Sequence, residues 1–325
     1  MSSTPPRRRA TRSRATTVSP SASGPEARDS IRRHSRSFSF ASGVLPADKR
    51  GDVERLYAWC RWCDDGVDNA PSAEEATEFV RLATEDLHRI ADGVVPHAPE
   101  SLWFASVARR YDLSVEAARA VLEGMESDLL PAAGLDEDQL MRYCFRVAGA
   151  VGVLMCPILG LKDRRYLPHA AALGMGMQLT NIARDVAEDW RRSRCYLPLE
   201  WTGGLQPSNE APDRDRVRSG VQKALAVADN YYAAGESGID ALDRGSRLAI
   251  RAASRIYHAI GSKIRQLDYC VLEQRARVPL SRKIQIFLPL VLTAGRNGRP
   301  KALNTSSGHA LAVSERLLLE HGVTL

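Results

Sequence analysis

The 325-residue chain is 44% hydrophobic and 26% charged, which excludes a collagen-like, a mostly disordered and a polytopic membrane protein. The formal charge of +6 points to a nucleic-acid partner until it is mapped: residues 1–36 hold nine arginines against Glu26 and Asp29, and the rest has 36 basic against 37 acidic residues. A body without net positive charge leaves no nucleic-acid partner to expect.

Residues 1–28 are predicted to be a disordered basic tail. Their first 25 residues contain no acid and are rich in Arg, Ser, Thr and Pro, a composition that cannot bury a core. No apolar run follows the arginines, so the tail is not a secretory signal. An organelle transit peptide is the alternative, and peripheral contact with an anionic membrane would suit the charge. The location expected is otherwise the cytoplasm.

Residues 29–297 are predicted to form one all-α domain. Apolar residues recur at three- and four-residue spacing over 72–93, 114–127 and 136–160, with breaks at Pro71, 96–99, 131–134 and 161–163. Further helices are expected at 164–190, 213–235, 245–275 and 280–296, with a Gly- and Pro-rich loop over 198–212. Residues 298–325 read as loosely structured, with one short helix at 310–320. The longest uncharged apolar run, 147–161, contains Pro157 and is shorter than the roughly 20 residues that span a bilayer. Six cysteines are dispersed, and the pair Cys60 and Cys63 has no second pair at zinc-ribbon spacing; reduced, partly buried thiols are expected.

Two segments carry chemistry. In residues 57–68, Tyr57, Arg61, Asp64 and Asp68 stand at steps of four, three and four, so on a helix Arg61 and both carboxylates share a face. In residues 178–189, Gln178, Asn181, Asp185 and Asp189 follow steps of three, four and four, with Thr180, Arg184 and Glu188 alongside. Like charges four apart destabilise a helix by a few tenths of a kcal/mol. Asn at either aspartate pair is therefore expected to leave the metal-free protein unchanged or firmer. The second stripe emerges from the apolar run 170–177, and buried carboxylates need a compensating cation. Oxygen-only ligands suit magnesium, which typically takes one or two carboxylates with substrate phosphates; manganese is the other ion this set admits. Arg61 and Arg184 add phosphate donors. The constellation describes two acidic helices bridging metal ions to a diphosphate.

The chain resembles the squalene/phytoene synthase family, the head-to-head trans-prenyltransferases, over roughly residues 30–290. The resemblance rests on His34-Ser35-Arg36-Ser37-Phe38, on the 57–68 segment, on residues 143–152, and on residues 173–198 with their Gln178, Asn181, Arg184, Asp185 and Asp189. It implies an all-α isoprenoid-synthase-like helical bundle with a central cavity between two aspartate-bearing helices. It further implies magnesium at Asp64, Asp68, Asn181, Asp185 and Asp189, and diphosphates held by Tyr57, Arg61, Gln178, Arg184, Arg194 and the His34–Phe38 stretch. Tyr143 is implied on the cavity wall and Tyr269 as a late substrate contact, although Cys270 stands where relatives often carry an acid.

Residues 143–152 and 178–198 look most like bacterial-type phytoene synthases. That implies condensation of two geranylgeranyl diphosphates through a cyclopropylmethyl diphosphate. The alternatives are a squalene or dehydrosqualene synthase using farnesyl diphosphate, and a non-catalytic relative acting as a scaffold, which would be expected to lose metal ligands. No G-x-G-x-x-G follows a strand, so no NADPH is expected. Gly149, Gly152, Gly174 and Gly176 likewise form no phosphate loop, and suit close helix packing or room for a prenyl chain.

Overall fold

The computed structural model describes residues 42–129, 133–293 and 305–325. The tail and the His34, Ser35, Arg36, Ser37 and Phe38 stretch lie outside the described residues. Among those described there is no strand, and the chain is all-α as expected. α1 spans Ala47–Asp68, α2 Ala73–Ala91, α3 Ser101–Tyr111 and α4 Val115–Ser127. α5, Glu137–Cys144, runs through one π-helical stretch, Phe145–Gly149, into α6, Ala150–Ile158. α7 spans Leu167–Arg191 after a short 3-10 turn, and α8 is a single turn, Leu199–Thr202. Then come α9, Arg214–Gly238, α10, Arg244–Gln266, α11, Leu280–Thr293, and α12, Thr305–Glu320.

Helix starts follow local side-chain chemistry. Ser72, Ser114, Asp213 and Asp243 each accept a hydrogen bond from a backbone N–H in the first turn of α2, α4, α9 and α10. Asp136 and Gln139 form a reciprocal capping box at α5, satisfying donors that a helix start leaves free. α7 accommodates Pro168 in its first turn, where no N–H is needed.

α7 and α9 pack along each other through the centre, and α7 also meets α6, the π stretch, α10 and α12. α1 packs on α2, α3, α4 and α6, burying Trp59 against Phe104 at a ring separation of 4.5 Å. The small residues at the α6–α7 crossing serve close packing. A Cβ on Gly174 would stand 2.3 Å from the Ala148 carbonyl oxygen, and one on Gly152 2.6 Å from that of Ala170. The continuous helix Glu137–Ile158 has the length and hydropathy of a membrane span, but it is 56% buried inside the fold and serves as a core helix.

Three sequence expectations need correction. The helix expected at 245–275 stops at Gln266, because Asp268 and Tyr269 adopt left-handed backbone angles (φ 51° and 61°), with Asp268 held by Arg218. The loop over 198–212 contains the turn α8, whose end Gly203 takes in left-handed geometry. Residues 305–325 are not loose: α12 buries Ala310, Ser314, Leu317 and Leu318, and Arg164 donates to the Thr324 carbonyl at 2.7 Å.

Candidate active site between two acidic helices

A cavity of about 390 Å³ opens among α1, α4, the π stretch, α6, α7 and α10. One end is polar, with Tyr57, Arg61, Asp64, Asp128, Tyr143, Gln178 and Asn181; the remainder is apolar, including Val151, Leu159, Leu173, Ile239, Leu242 and Ile250. Such polarity suits a molecule with an anionic head and a hydrocarbon tail.

The α1 pair is held as the four-residue spacing predicts. Arg61 donates to Asp64 and to Asp65, each at 2.6 Å. Burial pushes the Asp64 carboxyl up to about 6; Arg61 opposes the shift, while Asp68, Asp65 and Asp128 add to it. At Asp68, burial again acts upward, but Arg194 and Arg192 outweigh it and hold the carboxyl below its ordinary range. Arg192 and Arg194 reach it at 2.7 and 3.0 Å, tying the chain just after α7 to the end of α1.

On α7, Gln178 and Asn181 line the cavity, and Asn181 Nδ2 donates to Gln178 Oε1 at 3.2 Å. Asp185 pairs with Arg184, whose Nε donates at 2.7 Å, and with Arg275 at 2.8 Å. Arg275 also reaches Glu188 at 3.2 Å. Asp189 has no ion pair among the described residues, and burial followed by repulsion from Asp185 and Glu188 pushes its carboxyl up to about 7.

Asp68, Arg184, Asp185 and Asp189 therefore sit around the polar end rather than on the cavity wall. Arg194, implied above as a substrate contact, spends its donors on Asp68 and on the Asp128 carbonyl. Tyr269 does not line the cavity, since the chain has left the helix before it; Tyr257 on α10 does. Cys60 and Cys63 are both buried in α1, and burial pushes the Cys60 thiol up to about 12, so neither suits redox work.

Sequence reasoning missed Asp128. Its carboxylate accepts from Tyr196 Oη at 2.7 Å and Tyr143 Oη at 3.2 Å, and the two tyrosine rings stack at 4.6 Å. Burial raises the Asp128 carboxyl and holds the Tyr143 phenol well above its usual range. One signal was present: Asp128 is the C-cap of α4, the helix end that disfavours an anion.

No three carboxylate, imidazole or thiol groups converge on one point among the described residues. The polar end nonetheless fits magnesium bound together with a diphosphate, which needs only one or two protein carboxylates per ion. Among the described residues Asn181 Oδ1 is a buried acceptor without a partner and Arg61 Nε a buried donor without one. A cation and a phosphate oxygen would satisfy them respectively.

Raised carboxyls make a testable statement about the metal-free protein. A carboxyl whose folded value lies above its unfolded value contributes stability that is present at low pH and lost as pH rises. For Asp64 and Asp189 that window runs from the ordinary 3.8 up to about 6 and about 7. Melting temperature without metal should therefore rise on acidification from about pH 8 to about pH 5.5. Asp189→Asn should flatten the upper part of that rise; an unchanged profile would show that Asp189 is not so desolvated.

Comparison with known proteins agrees with this architecture. A sequence model of the squalene/phytoene synthase family matches residues 31–283. The chain is 34% identical over 266 residues to a 15-cis-phytoene synthase of Pantoea ananas, covering 78% of this chain and 86% of the relative. It is 37% identical over 262 residues to a phytoene synthase of Cereibacter sphaeroides, covering 77% and 74%. In three dimensions it resembles a ligand-bound dehydrosqualene synthase with a TM-score of 0.75 and 25% identity, covering 84% of this chain and 96% of that one. A helical fold around a cavity with a polar, acid-rich end thus fits the prenyltransferase class. The chain belongs to the squalene/phytoene synthase family.

Proposed function

We propose that the protein is a phytoene synthase, condensing two geranylgeranyl diphosphates head to head to phytoene and releasing two diphosphates and two protons. The observation that carries this is the cavity between the two acidic helices, polar at Arg61, Asp64, Gln178 and Asn181 and apolar beyond. Relatives named phytoene synthase at 34% and 37% identity favour this product.

Asp64 and Asp68 on α1 with Asn181, Asp185 and Asp189 on α7 would hold magnesium, whose charge would offset that growing on the departing diphosphate. Arg61 and Arg184 would bind the phosphates, with Tyr57 and Gln178 beside them, and their guanidiniums would stabilise the leaving group. The second substrate's double bond would attack the allylic cation, and loss of one proton from the resulting cation would close the ring of a cyclopropylmethyl diphosphate. A second ionisation, rearrangement and proton loss would complete the hydrocarbon. The apolar walls would keep water from both cations. Tyr143, fixed by Asp128 and stacked on Tyr196, would present an aromatic face to positive charge.

Purified protein supplied with C15 or C20 diphosphate and magnesium is expected to form phytoene from the C20 substrate without NADPH. The likeness to a dehydrosqualene synthase supports the second reading, in which two farnesyl diphosphates are used. Exclusive use of the C15 substrate, or a product seen only with NADPH, would move the assignment to that branch; no hydrocarbon at all would favour the scaffold.

A further inference from the structure

We propose that α11 is a membrane-docking helix, whose outward apolar stripe and adjoining arginines seat on a bilayer containing anionic phospholipid. The inference deepens the proposed function, which supplies only its purpose: delivery of a lipid substrate and removal of a lipid product.

The stripe consists of Leu280, Ile284, Leu288, Val291 and Leu292, which are 63%, 52%, 57%, 44% and 77% exposed. Steps of four, four, three and one place them on a single face. Leu290 is buried, and the helix packs against α10. Among the described residues the remaining exposed large apolar side chains are Leu82, Val94, Val95, Tyr166, Leu319 and Leu325, and none of the other described helices gathers five on one face. A 14-residue helix is about 21 Å long, short of the roughly 30 Å hydrocarbon core. It can lie in the interface plane but cannot span it.

Charge selects the partner. Residues 274–314 contain seven basic residues and no acid. Among the described residues Arg255, Arg277 and Arg282 have no ion-paired carboxylate, and Arg282 donates to Gln285 at 3.3 Å. Arg255 and Arg282 border a groove between α10 and α11 that Glu236 and His258 also line, with Glu236 accepting from Ser254 and His258 paired with Asp229; a lipid phosphate could pair with the two arginines. A second copy of the chain fits less well, because a two-fold contact would bring this basic rim against itself. Arg275, five residues before the helix, is bonded to Asp185 and Glu188. The segment leading into α11 therefore adjoins the polar end of the cavity.

The test is flotation of the full chain with phosphatidylcholine vesicles, with and without phosphatidylglycerol, read without any turnover. Wild type should float with the anionic vesicles and weakly with the neutral ones. The double variant Ile284→Gln/Leu288→Gln should weaken that partition at least about tenfold, with melting temperature and turnover of detergent-dispersed substrate retained. Arg255→Gln/Arg282→Gln, which leaves the stripe intact, should weaken binding to the anionic vesicles alone. Three results would overturn the proposal: wild type that ignores anionic vesicles, a stripe variant that still binds fully through the arginine tail, or a dimer that the stripe variant turns into monomers. Because binding is measured apart from chemistry, a failure here is distinct from a failure to make phytoene.

Discussion

Asp64→Asn and Asp185→Asn should each abolish hydrocarbon formation at saturating magnesium, by more than about 10³-fold. Removing one stabiliser of a developing charge typically costs about 10²–10³ in rate, and losing a metal ligand's charge should cost more. Asn keeps the size and one oxygen of Asp, so the cavity should survive in both variants. Their stabilities should diverge. Asp64 is charged at neutral pH against a burial penalty that lifts its carboxyl to about 6, so its replacement should leave the metal-free protein unchanged or slightly firmer. Asp185 is clamped by Arg184 and Arg275; its loss strands the Arg184 guanidinium and leaves Arg275 with Glu188 alone. A charged hydrogen bond is worth about 1.5–3 kcal/mol; partial exposure of Arg275 brings the expected loss to about 1–2 kcal/mol. Helical spacing alone predicts relief of repulsion at both sites, and the ion pairs reverse the sign at Asp185. The decisive measurement pairs metal-free melting with turnover for each variant. Near-wild-type turnover in both would sink the two-helix metal reading.

Gly174→Ala should be the most damaging change outside the polar end. The added Cβ would lie 2.3 Å from the Ala148 oxygen and 2.7 Å from its carbonyl carbon. Both are backbone atoms, so no rotamer can relieve the clash and α7 must move off the π stretch. Overpacking of this kind costs about 3 kcal/mol or more. Gly51→Ala in α1 is the matched control, since its nearest neighbour is the end of the Arg55 side chain at 3.7 Å. There the better helix former should add about 0.5–1 kcal/mol. Equal melting temperatures for the two variants would contradict the packing argument. Movement of the cavity wall should also lower the turnover of any folded Gly174→Ala protein.

Local periodicity, Pro and Gly breaks and spacing were enough to reach the all-α class, most helix positions and the Arg61–Asp64 contact. These features depend on residues within one or two helical turns, where sequence separation sets spatial separation. Asp64 and Asp68, and Gln178, Asn181, Asp185 and Asp189, could be grouped for the same reason. Helix α3 was missed because its polar positions, Ser106, Arg109 and Arg110, leave too short an apolar repeat.

Contacts between distant segments were decided only by the tertiary structure. The π stretch at Phe145–Gly149 inserts an extra residue into a pattern that otherwise repeats every 3.6 residues. Its place on the cavity wall depends on α7 approaching through Gly174. Asp128 gains meaning from Tyr143 and Tyr196, and Asp185 from Arg275, 90 residues later. The end of α10 at Gln266, and the withdrawal of Tyr269 from the cavity, follow from two left-handed residues that amino-acid type does not announce. α12 is held by burial against α7 and α9, an energy no window of its own sequence contains. Which carboxylates face which guanidiniums is likewise a property of the packed helices: the sequence supplies the charges, and only the fold brings them within a few ångströms.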